Sequence, residues 1–503
     1  MNLPDHASIA AFDTEEVQGD VVPGFHKDHR RFSFWIIDEP ILAKRALGEL
    51  SHRLATAEDV LRFNAVWKRL AHRRGGRGAS PVAATWCNVA FSYSGLRRLG
   101  VTGFADNDAW HSFERGVEST AGPMLGRQAL PSDVVISIAG DRQDMVDEEA
   151  AYVAGLLEGH GLRSAGPDFV GHVRTADDAQ VEPFGFRDAV ANPTVVGLPR
   201  FDIEGNSVPA DTNGVPADRF LVGLNGDGSA GPDAHGSYLV LLKIKQDVAA
   251  FERFCRTGAA RLNADWGEDG PHVTEDDFAA LVVGRRRDGT ALALRPIGST
   301  EAAGGEPDLT DDFDYGNDSS GRRCPLSAHV RKMNPRLPGD DRHTVLRRGV
   351  PFEEGANEGL LFVCYQSSVA DGFERLQYRW ADSPLSSAER RLDDDVSAQL
   401  PQSRVSAASA IPVTDLVDYA ELLAAQGIMA QEAPADALVG RPARTGVGNL
   451  EIPRPAPLGG STAIPLPITD RWTEYLDGQY YFVPARSALR AWTDLAEDHK
   501  PQG

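Results

Sequence analysis

The chain has 503 residues, of which 42% are hydrophobic and 25% charged, and carries a formal net charge of -22. That length allows two to four domains, or two related halves of one architecture, with an ample core. The acidity, with no long Lys/Arg stripe, excludes a nucleic-acid binder, because neutralising phosphates needs a basic face.

Residues 1–16 read as a loose leader, with neither the basic n-region nor the apolar h-region of a signal peptide. RFSFWIID, 31–38, predicts the first strand from its β-rich residues and partial alternation. AEDVLRFNAVWKRLAHR, 57–73, places Val60, Phe63, Val66 and Leu70 at helical spacing. CNVAFSYSGLRRLGV, 87–101, predicts a strand, a Ser-Gly turn and a short helix. DVVISIAGD, 133–141, predicts a buried strand, and the helix after it puts Val146, Ala150, Val153 and Leu157 on one face. DFVGHVRT, 168–175, closes this half. A Gly/Asp/Pro-rich stretch over roughly 204–236 marks a boundary between halves 17–225 and 226–503.

The second half repeats the style of the first. YLVLLKIK (238–245), LLFVCYQ (360–366) and QYYFVPA (479–485) predict strands. Each is followed by a helical segment: QDVAAFERFCRTGAARL, SVADGFERLQYRWA and SALRAWTDLAEDH. Strands this short and polar-flanked do not build a large parallel sheet. The expected class is α+β, two related halves that are each an antiparallel sheet covered by helices. Three stretches, 297–323, 381–412 and 430–469, resist regular structure and are long for plain loops. The basic runs HRRGGR, 72–77, and GRRRDG, 284–289, read as a solvated turn and a loop between elements.

Four cysteines, Cys87, Cys255, Cys324 and Cys364, lie far apart and form no CxxC pair. A zinc knuckle and a disulfide framework are both disfavoured, and buried free thiols in a reducing compartment are expected. No run of 18 apolar residues occurs. A cytoplasmic protein without a membrane span follows, with export after loss of a leader left open.

Two constellations could carry chemistry. In CPLSAHVRKMNPR, 324–336, His329 precedes Arg331, Lys332 and Arg336, and Arg347 follows in RHTVLRRGVPF. One reading is a surface loop whose cations pair with acids such as Asp340 and Asp341. The other is a metal-ligating imidazole inside a cationic shell that neutralises a cofactor's carboxylates. In VEPFGFRDAVANPTVVG, 181–197, Asp188 sits among Gly185, Phe186 and Ala189, flanked by Pro183 and Pro193. Such an aspartate is either a cap or Asx-turn, or an acid whose pKa burial raises toward neutrality.

Together these residues resemble the dye-decolourising peroxidase family. GFRDA is similar to its GxxDG motif, AHVRKMNPR to its axial-histidine motif and LRRGVPF to its distal-arginine motif. The likeness extends through VQGDVVPGF, RFSFWIID, CNVAFSYSGLRRLGV, LLFVCYQSSVADGF and QYYFVPA, and is closest to the long form that includes the fungal enzymes. Three motifs in the right order make a specific signal.

The resemblance implies two ferredoxin-like halves of a dimeric α/β-barrel-like fold, with haem b held mostly by the second half. Hydrogen peroxide would be the oxidant, and bulky dyes or phenolic aromatics the one-electron reductants. His329 would be the proximal iron ligand, with Arg331 among the cations beside the propionates. Asp188 would be the distal acid–base residue and Arg347 the distal cation. Leu360 and Phe362 would line the distal pocket. An axial histidine donates its other ring nitrogen to a carboxylate, and Asp470, in DRWTEYLDGQYYFVP, stands at about the family's spacing for it.

Large reductants cannot reach a buried haem. Trp380, in LQYRWADSP, and Tyr378 of the same helix are therefore the candidates for surface electron transfer, the alternative for Trp380 being helix packing. One departure stands out: the motif's second glycine is Ala189, whose methyl group would project toward the haem face. A distal carboxylate implies activity that favours acid pH. The competing functions are a non-peroxidatic haem-binding or porphyrin-processing protein, which Ala189 alone supports, and a binding protein that has lost haem. A hydrolase lacks any GxSxG elbow. Nothing in the sequence speaks to oligomeric state.

Overall fold

The computed structural model describes residues 12–74, 82–101, 108–119, 131–176, 179–202, 204–210, 214–224, 234–299, 307–336, 343–382, 435–455 and 463–494. In the first half, runs of Phe, Trp, Ile and Val form β1 (His29–Ile37), β2 (Thr85–Phe91), β3 (Val134–Gly140), β4 (Leu162–Ser164) and β5 (Phe169–His172). Two small hairpins follow, β6 (Arg174–Ala176) with β7 (Ala179–Val181) and β8 (Arg200–Phe201) with β9 (Ser207–Val208). The second half supplies β10 (Ser237–Gln246), β11 (Leu346–Arg347), β12 (Val350–Glu354), β13 (Asn357–Gln366), β14 (Gly448–Pro453), β15 (Ala463–Ile468) and β16 (Thr473–Val483).

Among the described residues the helices are α1 (Pro40–Leu50), α2 (Ala57–Arg73), α3 (Tyr93–Arg98), α4 (Asp108–Ser119), α5 (Gln143–Leu157), a single 3-10 turn (Ala217–Arg219), α6 (Val248–Trp266), α7 (Glu275–Val283), α8 (His329–Met333), a π-helix (Ala370–Ala381), α9 (Arg441–Thr445) and α10 (Arg486–Thr493). The predicted helix 57–73 is α2, started by a reciprocal capping box between Thr56 and Asp59. Such a cap stabilises a helix by about 1 kcal/mol.

Ten strands among the described residues form an antiparallel sheet in the order β11-β13-β10-β16-β2-β3-β1-β4, with β12 on β13 and β5 on β1. Strands of the two halves stay on opposite sides of a seam, where β16 meets β2 at the pair Phe482↔Phe91. At the far side β5 lies against β12. A Cβ on Gly171 would sit 2.6 Å from the Val350 side chain and 2.7 Å from the Pro351 carbonyl, so only glycine permits this approach. The two antiparallel halves thereby curl into one barrel.

The unbroken apolar run of β10 follows from burial on both faces. Leu239 and Leu241 point into the barrel with Phe32, Phe34, Leu361, Val363 and Tyr365. Val240, Leu242 and Ile244 face the helical layer with Leu47, Val153, Phe373 and Trp380. All four cysteines are buried free thiols, as expected. No helix among the described residues is long and apolar enough to cross a membrane.

Three expectations change. The leader is not loose over its last residues: Phe12 and Thr14 are buried, and the Thr14 hydroxyl donates to Glu58 at 2.9 Å. The stretch 430–469 contains the ribbon β14–β15, in which Ile464, Leu466 and Ile468 are buried while Pro465 and Pro467 face outward. Prolines are tolerated there because each strand of a two-stranded ribbon keeps an open edge. The helix predicted after β13 is a wide one. Glu374 N–H donates to Val369 O and Asp382 N–H to Gln377 O, an i→i−5 pattern often found at functional sites.

Candidate active site

Leu360, Phe362 and Cys364 alternate along β13 and share one face of it. Arg347 pairs with Cys364 across β11 and β13, so it joins that face. Leu360 and Phe362 are half-buried there, and Phe362 meets Phe373 of the π-helix with ring centroids 6.0 Å apart.

Asp188 reaches the same edge through Asn192. The Arg347 N–H donates to Asn192 Oδ1 and Asn192 Nδ2 donates to Arg347 O, both at 3.0 Å. Arg347 Nη2 donates to Ala191 O at 2.6 Å. Residues 191 and 192 are thus docked on β11, which places the segment that carries Asp188 beside Arg347 although the two stand far apart in sequence. Sequence reasoning missed Asn192, the residue that ties this loop to β11. Next to Arg347, the half-buried Arg348 donates to the carbonyls of Asp20, Val21 and Pro23, and desolvation pulls its guanidinium down to about 10.

Asp188 is exposed, and its Oδ1 accepts the Ala189 N–H at 2.6 Å. That bond runs to the next residue only, so it is neither the cap nor the Asx-turn expected, whose bonds reach two or three residues on. Below it, Glu182 accepts the N–H groups of Phe184 (3.0 Å) and Phe186 (2.9 Å) and the Gln246 side chain (2.7 Å). Burial outweighs these bonds and holds the Glu182 carboxyl above its usual range.

Ala189 has φ of 59°, in the left-handed region. A Cβ there costs roughly 1–2 kcal/mol relative to glycine. Ala189→Gly is expected to stabilise the folded chain by about 1 kcal/mol, read by denaturant unfolding. A destabilised variant would show that the turn is not held in this conformation.

The cations around His329 have other partners than propionates. Arg331 is buried, donates to Asp318 Oδ2 (2.9 Å), Asp318 O and Cys324 O (both 2.7 Å), and lies over the Tyr315 ring. Buried against Asp318, Cys324 and the Tyr315 ring, it holds the 315–324 segment, which corrects its assignment as a cofactor contact. Arg336 pairs with Asp311, as does Arg285. The acids that answer these cations thus come from the acidic 307–323 stretch, while Asp340 and Asp341 lie outside the described residues.

His329 opens α8, which packs on the π-helix. Its Nδ1 lies 3.0 Å from Asp436 Oδ2. The Asp436 side chain is fully buried, while that of His329 keeps 30% of its area accessible. Asp436 is held hard: Oδ1 accepts the N–H groups of Leu438 (2.8 Å) and Val439 (3.0 Å), and its own N–H donates to Ala381 O at 2.7 Å. The carboxylate fixes the proton on Nδ1, so Nε2 presents its lone pair.

This overturns Asp470 as the partner of the histidine. Asp470 lies near the surface with 45% of its side chain accessible, and pairs with Arg253 at 3.4 Å. A single imidazole backed by a buried carboxylate fits the axial ligation of a haem iron. Among the described residues no group of three or more His, Cys, Asp or Glu side chains could hold a bare metal ion.

Trp380 is not a surface residue. It is 4% exposed, packs in the helical layer and meets His343 edge-to-face at 5.8 Å. The packing alternative therefore describes it, and no bulky substrate can touch it directly. The side chain of Tyr378 lies outside the described residues.

Comparison with known proteins agrees with this architecture. Residues 16–162 match the family model "DyP dimeric alpha+beta barrel domain", and residues 279–397 match "Dyp-type peroxidase, C-terminal". A dye-decolorizing peroxidase of Exidia glandulosa is 28% identical over 408 residues, covering 75% of each chain. One from Auricularia auricula-judae is 28% identical over 422 residues, covering 76% of each. Among solved structures, a mutant of the dye-decolorizing peroxidase from Pleurotus ostreatus superimposes with a TM-score of 0.72 at 22% identity, over 96% of this chain and 100% of that one. Two family models that together span more than half of the chain, relatives matched over three quarters of their length and a shared barrel lead to one conclusion: the chain belongs to the dye-decolourising peroxidase family.

Proposed function

We propose that this chain is a haem b peroxidase that uses hydrogen peroxide to oxidise bulky dyes and phenolic aromatics in one-electron steps. The observation that carries the reading is the His329–Asp436 hydrogen bond at 3.0 Å, in a chain of this family. The first half, 17–225, contributes Asp188, and the second, 226–503, contributes His329 and Arg347.

His329 would hold the haem iron through Nε2, with Asp436 orienting the ring and raising its basicity. When bound, the haem supplies two-electron reduction of peroxide and one-electron oxidation of the aromatic reductant. Asp188 takes a proton from hydrogen peroxide and returns it to the departing water. The Arg347 guanidinium stabilises the negative charge that grows on oxygen as the O–O bond breaks. Leu360 and Phe362 keep the reacting face apolar.

The test is the visible absorption spectrum of haem-reconstituted protein, before and after hydrogen peroxide at mildly acid pH, followed by decolourisation of an anthraquinone dye. A Soret band that changes rapidly with peroxide, and a dye that bleaches only when peroxide is present, are expected. A Soret band indifferent to peroxide would instead favour haem binding or porphyrin processing. No Soret band would remove His329 as a ligand.

A further inference from the structure

The turn that carries Asp188 is gripped by a residue of the GRRRDG stretch, the expected loop between elements, whose three arginines all have acidic partners: Arg285 pairs with Asp311, Arg286 with Asp277, and Arg287 with Glu252 and Asp276. We propose that Arg287 is a positioning residue for Asp188, an inference that rests on Asp188 being the distal acid.

Each side of this guanidinium is engaged. Nη1 donates to Phe184 O. Nη2 donates to Glu252 Oε1 of α6 at 2.6 Å, and Nε to Asp276 Oδ1 of α7 at 2.8 Å. The plane lies over the Phe186 ring, 5.2 Å from its centroid. The Arg287 carbonyl accepts the Arg187 N–H at 2.9 Å. Phe184, Phe186 and Arg187, three of the four residues before Asp188, are therefore held by this one arginine.

The fourth is Gly185. Its φ is 86°, and a Cβ there would lie 2.5 Å from Arg287 Nη1. The guanidinium fills the space that the missing side chain leaves. In this chain the first glycine of the GFRDA motif serves the arginine as well as the turn.

The chemical need for such a clamp is visible at Asp188. Its main-chain N–H donates to Gln180 O at 2.9 Å, and its carboxylate bonds only its neighbour's N–H among the described residues. An exposed carboxylate on a turn has no fixed reference of its own. Arg287 ties the turn to two helices through two ion pairs, while Glu182 collects the turn's amides. A displacement of about 1 Å at a reacting group costs on the order of a hundredfold in rate.

The test is a double-substitution cycle of Arg287→Gln and Asp188→Asn, read by the rate of reaction with hydrogen peroxide in haem-loaded protein. Arg287→Gln alone should slow that reaction roughly ten- to a hundredfold with haem uptake unchanged. In the Asp188→Asn background it should cause no further loss, because it acts only through Asp188. In haem-free protein, amide hydrogen exchange over 182–189 should quicken while that of β10 does not.

An Arg287→Gln variant as fast as the wild type overturns the inference. So does an equal loss in both backgrounds, which would mean a general effect on folding or haem uptake. If Asp188→Asn alone reacts as fast as the wild type, the distal-acid reading fails and the inference falls with it. If Asp188→Asn is slow and Arg287→Gln is not, only the inference fails. Should Arg287→Gln not fold, Arg287→Lys runs the same cycle with the charge kept and the fork lost.

Discussion

Asp188→Asn is expected to slow the reaction with hydrogen peroxide by about a hundred- to ten-thousandfold, the range that a positioned acid–base group contributes. The substitution is nearly isosteric. The asparagine carbonyl can still accept the Ala189 N–H that Asp188 Oδ1 accepts at 2.6 Å, so the turn has no reason to move. Arg347 stays docked, because its bonds go to Asn192 and Ala191 rather than to Asp188. Only the capacity to take a proton is lost. Stopped-flow mixing with peroxide reads the rate, and the Soret band reads haem content independently. Loss of the Soret band along with the rate would point to a folding defect; an undiminished rate would reject the acid–base role.

Asp436→Asn is expected to weaken haem binding by roughly ten- to a hundredfold, the usual size of an outer-shell effect on a metal ligand. Asparagine Oδ1 can still accept from Leu438 and Val439, which turns its NH2 group toward His329 Nδ1. Two donors then face each other. The imidazole escapes by moving its proton to Nε2, the atom proposed to bind iron, or the pair stays unsatisfied at a cost of about 1–3 kcal/mol. Asp470→Asn is the matched comparison. It breaks an exposed pair with Arg253 and is expected to change stability by less than about 1 kcal/mol, with haem affinity unaltered. Haem titration of the three proteins at the Soret band decides between them. Were Asp470→Asn the variant that loses haem, Asp436 would be the wrong carboxylate.

What could be read from the sequence was local. The helix at 57–73 announces itself by spacing and by Thr56 and Asp59 at its start. The buried strand at 237–246 announces itself by an apolar run. The positions of His329, Asp188 and Arg347 rest on motifs, each only a few residues long. What failed was tertiary. Which acids answer Arg331 and Arg336 depends on how the 307–323 stretch folds back over α8, and no spacing encodes that. Trp380 was named as a surface candidate with helix packing as the alternative, and the structure buries it. In a π-helix the angle per residue differs, so a 3.6-residue projection misplaces its later side chains. The β14–β15 ribbon was hidden by its prolines, although Ile464, Leu466 and Ile468 alternate plainly. The GRRRDG stretch is the loop between elements that its composition suggested, but Glu252 and Asp276, the partners of Arg287, lie on two separate helices that no local spacing reveals.

Asp436 enters the fold through a narrow neck. Its N–H meets Ala381 O at 2.7 Å, the next N–H meets Ser327 O at 2.8 Å, and Asp382 beside the neck is clasped by Arg444 at 2.7 and 2.8 Å. Residues 381–382 and 436–437 are thereby pinned side by side, and the carboxylate that faces His329 is held by bonds made in its own immediate surroundings. A change elsewhere in the chain that spares these bonds leaves the orientation of the His329 ring unaltered.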